Sequence, residues 1–428
     1  MPSFRSLLRR LTPAASSAAA LAGRHRHLTL VLLAGLLGGS AQAQETDTTF
    51  IRLLRKNTFT LTQNGPELAG PGWARLQQDI QQSQLVLLGE DHGVAQIPGF
   101  ATAVARELKP ALYVAEIDKY QAQDLNRLAA QPGLPTAYNK QHAMGLAFYS
   151  WAEEFELARF LRAQNVPIMG VDQVGIMTTG SLFERMAAQA KSKAVRRELQ
   201  HRAAAYQAQD RAVMVKGAGN FSIYQRPSAL DSLRALTQKE GPQVQQMVRD
   251  FTQSSEIFTL YNTQGAKSHQ QRINLMKRNL LESLRPYDQP GQPLPKMLFK
   301  FGAGHVARGV SLTGGVYDVG NLALNLAEVH DQKSLHIFII GKQGLKAGMP
   351  NPDDLSKPGL PYSNATDKMV QAFAAPAAPG AWQVFDLRPL RRYLQADRLK
   401  VSSQTLSTII QGYDYMVIIP ETTASRPY

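Results

Sequence analysis

The 428-residue chain contains no cysteine. Disulfides, thiolate metal sites, a cysteine nucleophile and a lipid-carrying cysteine are excluded together. Several catalytic signatures are also missing. There is no G-x-S-x-G nucleophile elbow, no phosphate-binding P-loop and no H-E-x-x-H helix. A serine hydrolase therefore has no support. Acidic residues are outnumbered, 33 against 47 Lys and Arg, for a formal charge of +14. A hydrophobic content of 44% is enough for a sizeable core and excludes a disordered chain.

The N-terminal segment reads as a secretory signal peptide over residues 1–43. Arg5, Arg9, Arg10, Arg24 and Arg26 precede the apolar run Leu28 to Leu37, and Ala41-Gln42-Ala43 comes next as a small-x-small cleavage site. The run is half of the roughly 20 residues a membrane helix needs. The plain alternative is an uncleaved anchor. The leader holds five Arg and no acid, so its removal takes the charge from +14 to about +9. The remainder has no Lys/Arg run interleaved with aromatics. The excess reads as a basic surface, not as a nucleic-acid footprint. The expectation is a periplasmic or secreted protein with no membrane span once the signal is cleaved. Its partner would be a small-molecule substrate, and the sequence does not set its oligomeric state.

From residue 44 onward the pattern alternates. Leu85–Leu88, Ala111–Ala115, Ile168–Val171, Met297–Phe301 and Ser334–Ile340 are short apolar runs of the kind buried on both faces of a parallel sheet. Trp382–Phe385 and Tyr415–Ile419 look like late strands. Helical periodicity marks a helix opening at Pro98, another over about 119–130 and a long one over about 146–164. Residues 182–285 show no strand signal and read as a helical insertion, or cap, broken near Gly217-Ala218-Gly219 and Gly241-Pro242. The stretch 346–381, rich in Pro, Gly, Asn and Ala, reads as a surface excursion. The fold class is α/β: one domain over 44–428, with an open, mostly parallel central sheet and flanking helices.

The residues just beyond the strand ends carry the chemistry. Leu88 is followed by Gly89-Glu90-Asp91-His92-Gly93, Ala115 by Glu116, Val171 by Asp172, and Phe301 by Gly302-Ala303-Gly304-His305. In an open α/β sheet the carboxyl edge is where ligands bind. Four strands thus deliver ionisable groups to one edge. Each has a plainer reading: Glu90 as a carboxylate held by loop N–H groups, His92 as a turn residue, Glu116 as half of an ion pair, Asp172 as a cap. Gly302-Ala303-Gly304 resembles half a dinucleotide fingerprint, but the spacing to Gly309 is wrong. Two histidines with two or three carboxylates suit water activation in two ways. One His can act as a general base oriented by a carboxylate while the other polarises the bond under attack. Alternatively, Glu90, His92, Glu116 and His305 can hold a divalent cation that acidifies bound water. The residues leave that choice open.

Gly89-Glu90-x-His92-Gly93 after a strand, with Glu116 ending the next, resembles the erythromycin-esterase-like family and its ChaN-like and TIKI/TraB relatives. Further similarity lies in Ala152 to Asp172, in Arg272, Met276 and Asn279-Leu280, in His305-Val306, and in Asp414-Tyr415 to Thr423. Two departures stand out. The esterases have Gly-Glu-x-x-His-Gly, one residue longer, and Gly302 and Ala303 replace the first His and the Asn of their His-Asn-x-His. The resemblance implies a hydrolase scaffold of unknown substrate with catalytic His92, Glu90, Glu116 and His305. Arg272 and Asp172 would bind substrate or support the site. The esterase branch implies no metal and the TIKI branch a divalent ion, with peptidase chemistry. The ChaN-like branch implies a haem or small-ligand uptake protein instead, with Tyr113, Tyr149, Met144 and His142 near the motif segments; apolar periodicity explains those four without a cofactor.

Overall fold

The computed structural model describes residues 48–428 apart from 290, 357–358, 365–370, 374–379 and 402. The signal-peptide reading of residues 1–43 lies outside them. Strand β1 is Thr58–Asn64, β2 Glu67–Ala69, β3 Leu85–Glu90, β4 Leu112–Ala115, β5 Ile168–Gly170, β6 Met297–Gly302, β7 Ser334–Lys346, β8 Leu360–Ser363, β9 Trp382–Asp386 and β10 Tyr415–Thr422. They form one open sheet in the order β2-β1-β9-β10-β7-β3-β6-β4-β5, with β8 on the far end of β7. The run from β10 to β5 is parallel throughout. The pairings of β9, β1, β2 and β8 are antiparallel.

All six residues of β3 are buried, as the run Leu85–Leu88 requires of a strand covered on both faces. Alternate residues enter different cores. Val86 and Leu88 pack on one face with Phe100, Val104, Tyr113, Phe155 and Leu161. Leu85 and Leu87 pack on the other with Ile273, Met276, Phe299, Phe301 and Phe338. The period of two along a strand makes this sorting automatic.

The helix at Gln96–Leu108 starts two residues before Pro98, which sits in its first turn, and stops at Lys109, whose left-handed φ of 53° precedes Pro110. The helix expected over 146–164 is two pieces. A 3-10 turn at Ala147–Ser150 precedes the α-helix at Ala152–Ala163, and Trp151 between them is extended. The C-terminal tail causes the break: Trp151 bridges to Pro427, and the Ala152 N–H donates to the Arg426 carbonyl at 2.8 Å. Strands β1, β2 and β8 have no counterpart among the apolar runs of the sequence. β1 and β2 are a half-exposed edge hairpin turned at Gly65, φ 59°. Such strands show weak apolar patterning because one face meets water.

Between β5 and β6 the chain is helical, at Thr179–Gln189, Lys193–Lys216, Pro227–Thr237, Pro242–Tyr261 and Gly265–Leu284. The glycine signals lie where expected. Gly217 is a left-handed cap, and Gly241 precedes Pro242 at a helix start. The first four of these helices share a small core of their own around Phe183, Met186, Val244 and Phe251. The fifth returns to the sheet, burying Ile273, Met276 and Leu280 against it. No helix among the described residues is long and apolar enough to cross a membrane.

Gly170 closes β5 where the segment after β4 crosses it. A Cβ there would lie 2.3 Å from the Asp118 carbonyl oxygen and 2.7 Å from that of Ile117. Backbone cannot yield as a side-chain tip does. Gly170→Ala should therefore lower stability by about 1–3 kcal/mol in urea unfolding, and should disturb Glu116, two residues upstream of Asp118.

Candidate active site

Register places the first residues of the site. Glu90, the last residue of β3, is paired with Gly302, the last of β6, and Ala115 of β4 lies beside Lys300. Glu90 and Glu116 thus emerge on either side of the end of β6. Glu90, Glu116, His305 and Asp318 are all buried. His92, two residues beyond β3, keeps 24% of its side chain exposed. Its ring stacks on Phe148 at 3.9 Å between centroids and 14° between planes.

His92 is held from both ends. Its Nδ1 is 2.7 Å from Glu90 Oε1, and its Nε2 is 3.4 Å from Glu116 Oε2. Gly302 makes this fit possible: a Cβ there would fall 3.0 Å from His92 Nε2 and 3.4 Å from Glu116 Oε2. Its own N–H donates to Glu116 Oε2 at 2.6 Å. Burial disfavours an imidazolium here, but hydrogen bonds and charge from Glu116 and Glu90 outweigh it and raise the His92 pKa to about 9.

Arg272 crosses from the helix Gly265–Leu284. It donates to Glu116 Oε1 at 2.8 Å and grips Asp172 with both Nε and Nη2, the first at 2.9 Å. Burial works against its charge, but the Asp172 and Glu116 carboxylates push its pKa further up. The rest of this helix's motif is structural. Met276 and Leu280 are core, and Asn279 donates to the Val171 carbonyl at 2.9 Å, fastening the helix to the end of β5. His305 lies in a 3-10 turn after β6. Its Nδ1 is 2.9 Å from Asp318 Oδ2, and its Nε2 is 3.4 Å from both Glu116 Oε1 and Arg272 Nη1. Burial again opposes the proton, yet Asp318 and Glu116 raise the His305 pKa to about 10. Burial would raise the Glu116 pKa in turn, but His305 and His92 hold its carboxyl well below the usual range.

All six residues singled out in the sequence are therefore brought together. Three more join them that sequence reasoning missed. Lys300, from the middle of β6, donates 2.6 Å bonds to both Glu90 Oε1 and Glu154 Oε1. Glu154 comes from the first turn of the helix Ala152–Ala163. Asp318, fully buried, caps the helix Val319–Val329 by accepting from the Val319 N–H and also anchors His305. The usable signal was Lys300, a lone lysine inside an otherwise apolar strand. Nothing local distinguished Glu154 from its neighbour Glu153, which pairs with Arg426 at the surface. Of the four residues tied to the haem alternative, Tyr113 and Tyr149 are buried and joined hydroxyl to hydroxyl at 2.9 Å. Met144 packs with Trp151 and Met214, and His142 lies against Tyr138.

The donor set does not fit a divalent cation. Lys300 and His92 share Glu90 Oε1, Arg272 and the Gly302 N–H occupy Glu116, and Arg272 occupies Asp172. Both histidines favour the protonated state, which has no free lone pair. Among the described residues no group of three or more His, Asp or Glu is arranged to hold a metal ion. Arg272 and Lys300 supply the positive charge that the Glu116 and Glu90 carboxylates need.

Fold and site together define an open α/β protein with two imidazoles and two buried carboxylates at the carboxyl edge of its sheet. Its architecture is that of the erythromycin-esterase-like proteins. Three solved structures share it: a Bacillus cereus protein (14% identity, TM-score 0.54, 89% of this chain and 98% of that one), an erythromycin esterase, EreC, as a mutant in its open conformation (12%, 0.52, 86% and 98%), and a succinoglycan biosynthesis protein (12%, 0.54, 89% and 98%). These likenesses are of fold. No family model and no curated protein matches the sequence.

The site's charges can be checked by stability alone. His305 has a folded pKa of about 10 against about 6.5 unfolded, so its pairing contributes stability below pH 6.5 that is lost as pH rises through 10. Asp318→Asn should be less stable than the wild type at pH 6, and the gap should narrow by pH 10 in urea titrations. Excess chelator should leave the melting temperature unchanged, since no metal contributes by mass action.

Proposed function

We propose that the protein is a hydrolase that cleaves an ester, lactone or peptide-like bond of a small molecule with water activated at His92. The observation that carries this reading is the clamp on that imidazole. Glu90 accepts from Nδ1–H, which leaves Nε2, 3.4 Å from Glu116 Oε2, as the nitrogen that gains and loses the proton. This is the orientation logic of a carboxylate–histidine dyad, with water in place of a protein nucleophile. His92 is also the more exposed of the two site imidazoles, as a group that meets substrate must be.

In the reaction, neutral His92 takes a proton from water as the oxygen attacks the carbonyl carbon. The same proton passes to the leaving oxygen or nitrogen as the carbonyl–heteroatom bond breaks. His305, a cation to about pH 10, and Arg272 supply positive charge near the developing oxyanion. Their roles divide by chemistry: Arg272 keeps its charge between two carboxylates, whereas the His92 imidazole can gain and lose a proton. The signal-like pattern of residues 1–43 supports an exported location.

A His92 pKa of about 9 sets the pH dependence. Only the neutral ring is a base, about 1% of molecules at pH 7. Activity should rise with pH toward a plateau above about 9. His92→Ala should reduce kcat by about 10²–10⁴-fold with the protein still folded, because Lys300 still pairs Glu90 and Arg272 still pairs Glu116; the stability lost with the imidazolium should shrink as pH rises through about 9. A panel of esters, lactones and peptides provides the assay. Absence of His92-dependent turnover anywhere in it would remove the hydrolase reading.

A further inference from the structure

Behind His92, on the side away from solvent, lies a second charged group that the proposed reaction does not use. Lys300 enters the core face shared by Leu298, Tyr113 and Phe155, where apolar side chains are otherwise the rule. It is 3% exposed, and its two carboxylate partners, Glu90 and Glu154, are each 2% exposed. Glu90 Oε1 is thus shared, with Lys300 Nζ at 2.6 Å and His92 Nδ1 at 2.7 Å. Glu154 spends one oxygen on Lys300, while its Oε2 is buried with no hydrogen-bond partner. A buried ion pair contributes little net stability against an apolar replacement. A carboxylate left half-satisfied contributes less still.

We propose that Glu154 and Lys300 form a buried relay of charge behind Glu90 that sets how tightly His92 holds its proton, which makes Glu154 a positioning residue of this site. When Glu154 is ionised, Lys300 is divided between two carboxylates and Glu90 keeps most of its pull on His92. When Glu154 is neutral, Lys300 acts on Glu90 alone, and His92 releases its proton more readily. Glu154 is placed to switch between these states. Burial raises its pKa against the pull of Lys300, with Glu90 adding to the rise, to about 7. The groups facing it are few: Lys300 from β6, Glu90 from β3, His92 beyond it, and the linked hydroxyls of Tyr113 and Tyr149. Those facing His92 are Glu90 and Glu116, with Arg272 and His305 on the far side of Glu116.

The relation to His92 is independent of what the site hydrolyses, whereas its effect on rate rests on the hydrolase reading. Nitrogen-15 NMR of the imidazole rings tests the first directly. Glu154→Gln keeps the shape and removes the charge; the His92 midpoint should fall by about one pH unit. Lys300→Gln should move it in the opposite direction. A purely structural role predicts no such opposed pair. In the wild-type protein, needing no variant to fold, the His92 shifts should show a second, smaller step near pH 7 as Glu154 titrates. A single step in the wild type, or a His92 midpoint unmoved in Glu154→Gln, would overturn the proposal. If the midpoint moves while no substrate turns over, only the hydrolase reading fails. If there is turnover, the midpoint of the rising limb of its pH profile should fall with that of His92, with KM little changed.

Discussion

Two carboxylates buried at the end of a parallel sheet need positive charge, and most of this molecule's unusual features answer that need. Burying an unpaired carboxylate costs several kcal/mol even after the protein relaxes. Glu90 and Glu116 are both buried, each at the end of a strand whose other buried side chains are apolar. Water cannot neutralise them, so the chain supplies cations from four directions. Lys300 rises through the adjacent strand, Arg272 descends from the returning helix, and His92 and His305 close from the loops.

The consequence is a site whose proton affinities are collective. His92 and His305 both favour the imidazolium above neutral pH because acids surround them. His269, one helical turn before Arg272, shows the contrast. It is 5.9 Å from His305, ring to ring, but pairs with no carboxylate among the described residues; burial, with the charges of His305 and Arg272, lowers its pKa to about 4. Two imidazoles less than 6 Å apart are thus driven in opposite directions, because burial prevails where no carboxylate pairs with the ring and yields where two do. The same carboxylates leave no free donor set for a metal ion, so the protein's own cations define the electrostatics of the edge.

The helices between β5 and β6 acquire a purpose on these terms. Four of them stabilise one another around a core that does not include the sheet. The fifth carries Arg272, with Met276 and Leu280 buried beside it and Asn279 tied to Val171. β5 and β6 run parallel on either side of β4 and need a crossover in any case; the one used here ends in a helix that holds a guanidinium over Glu116 and Asp172. Order at this position matters because a site must be held to within a fraction of an ångström to work on a reacting bond.

Much of this was legible in the amino-acid sequence, because its signals are local. Runs such as Leu85–Leu88 are buried on both faces wherever they fold, and glycines at 217 and 241 end or start helices by their own backbone freedom. The convergence of Glu90, His92, Glu116, Asp172 and His305 comes from strand ends sharing one edge. Tertiary structure alone decided the rest. The break at Trp151 is imposed by Pro427 and Arg426, 276 and 275 residues away along the chain. The edge strands β1, β2 and β8 depend on neighbours that their own patterning does not encode. Glu153 and Glu154 are chemically identical and adjacent, yet one reaches the surface and the other Lys300. That difference, and the pairing of Glu90 with Lys300 and of Glu116 with Arg272, rests on distances between segments more than a hundred residues apart, and such distances exist only in the folded chain.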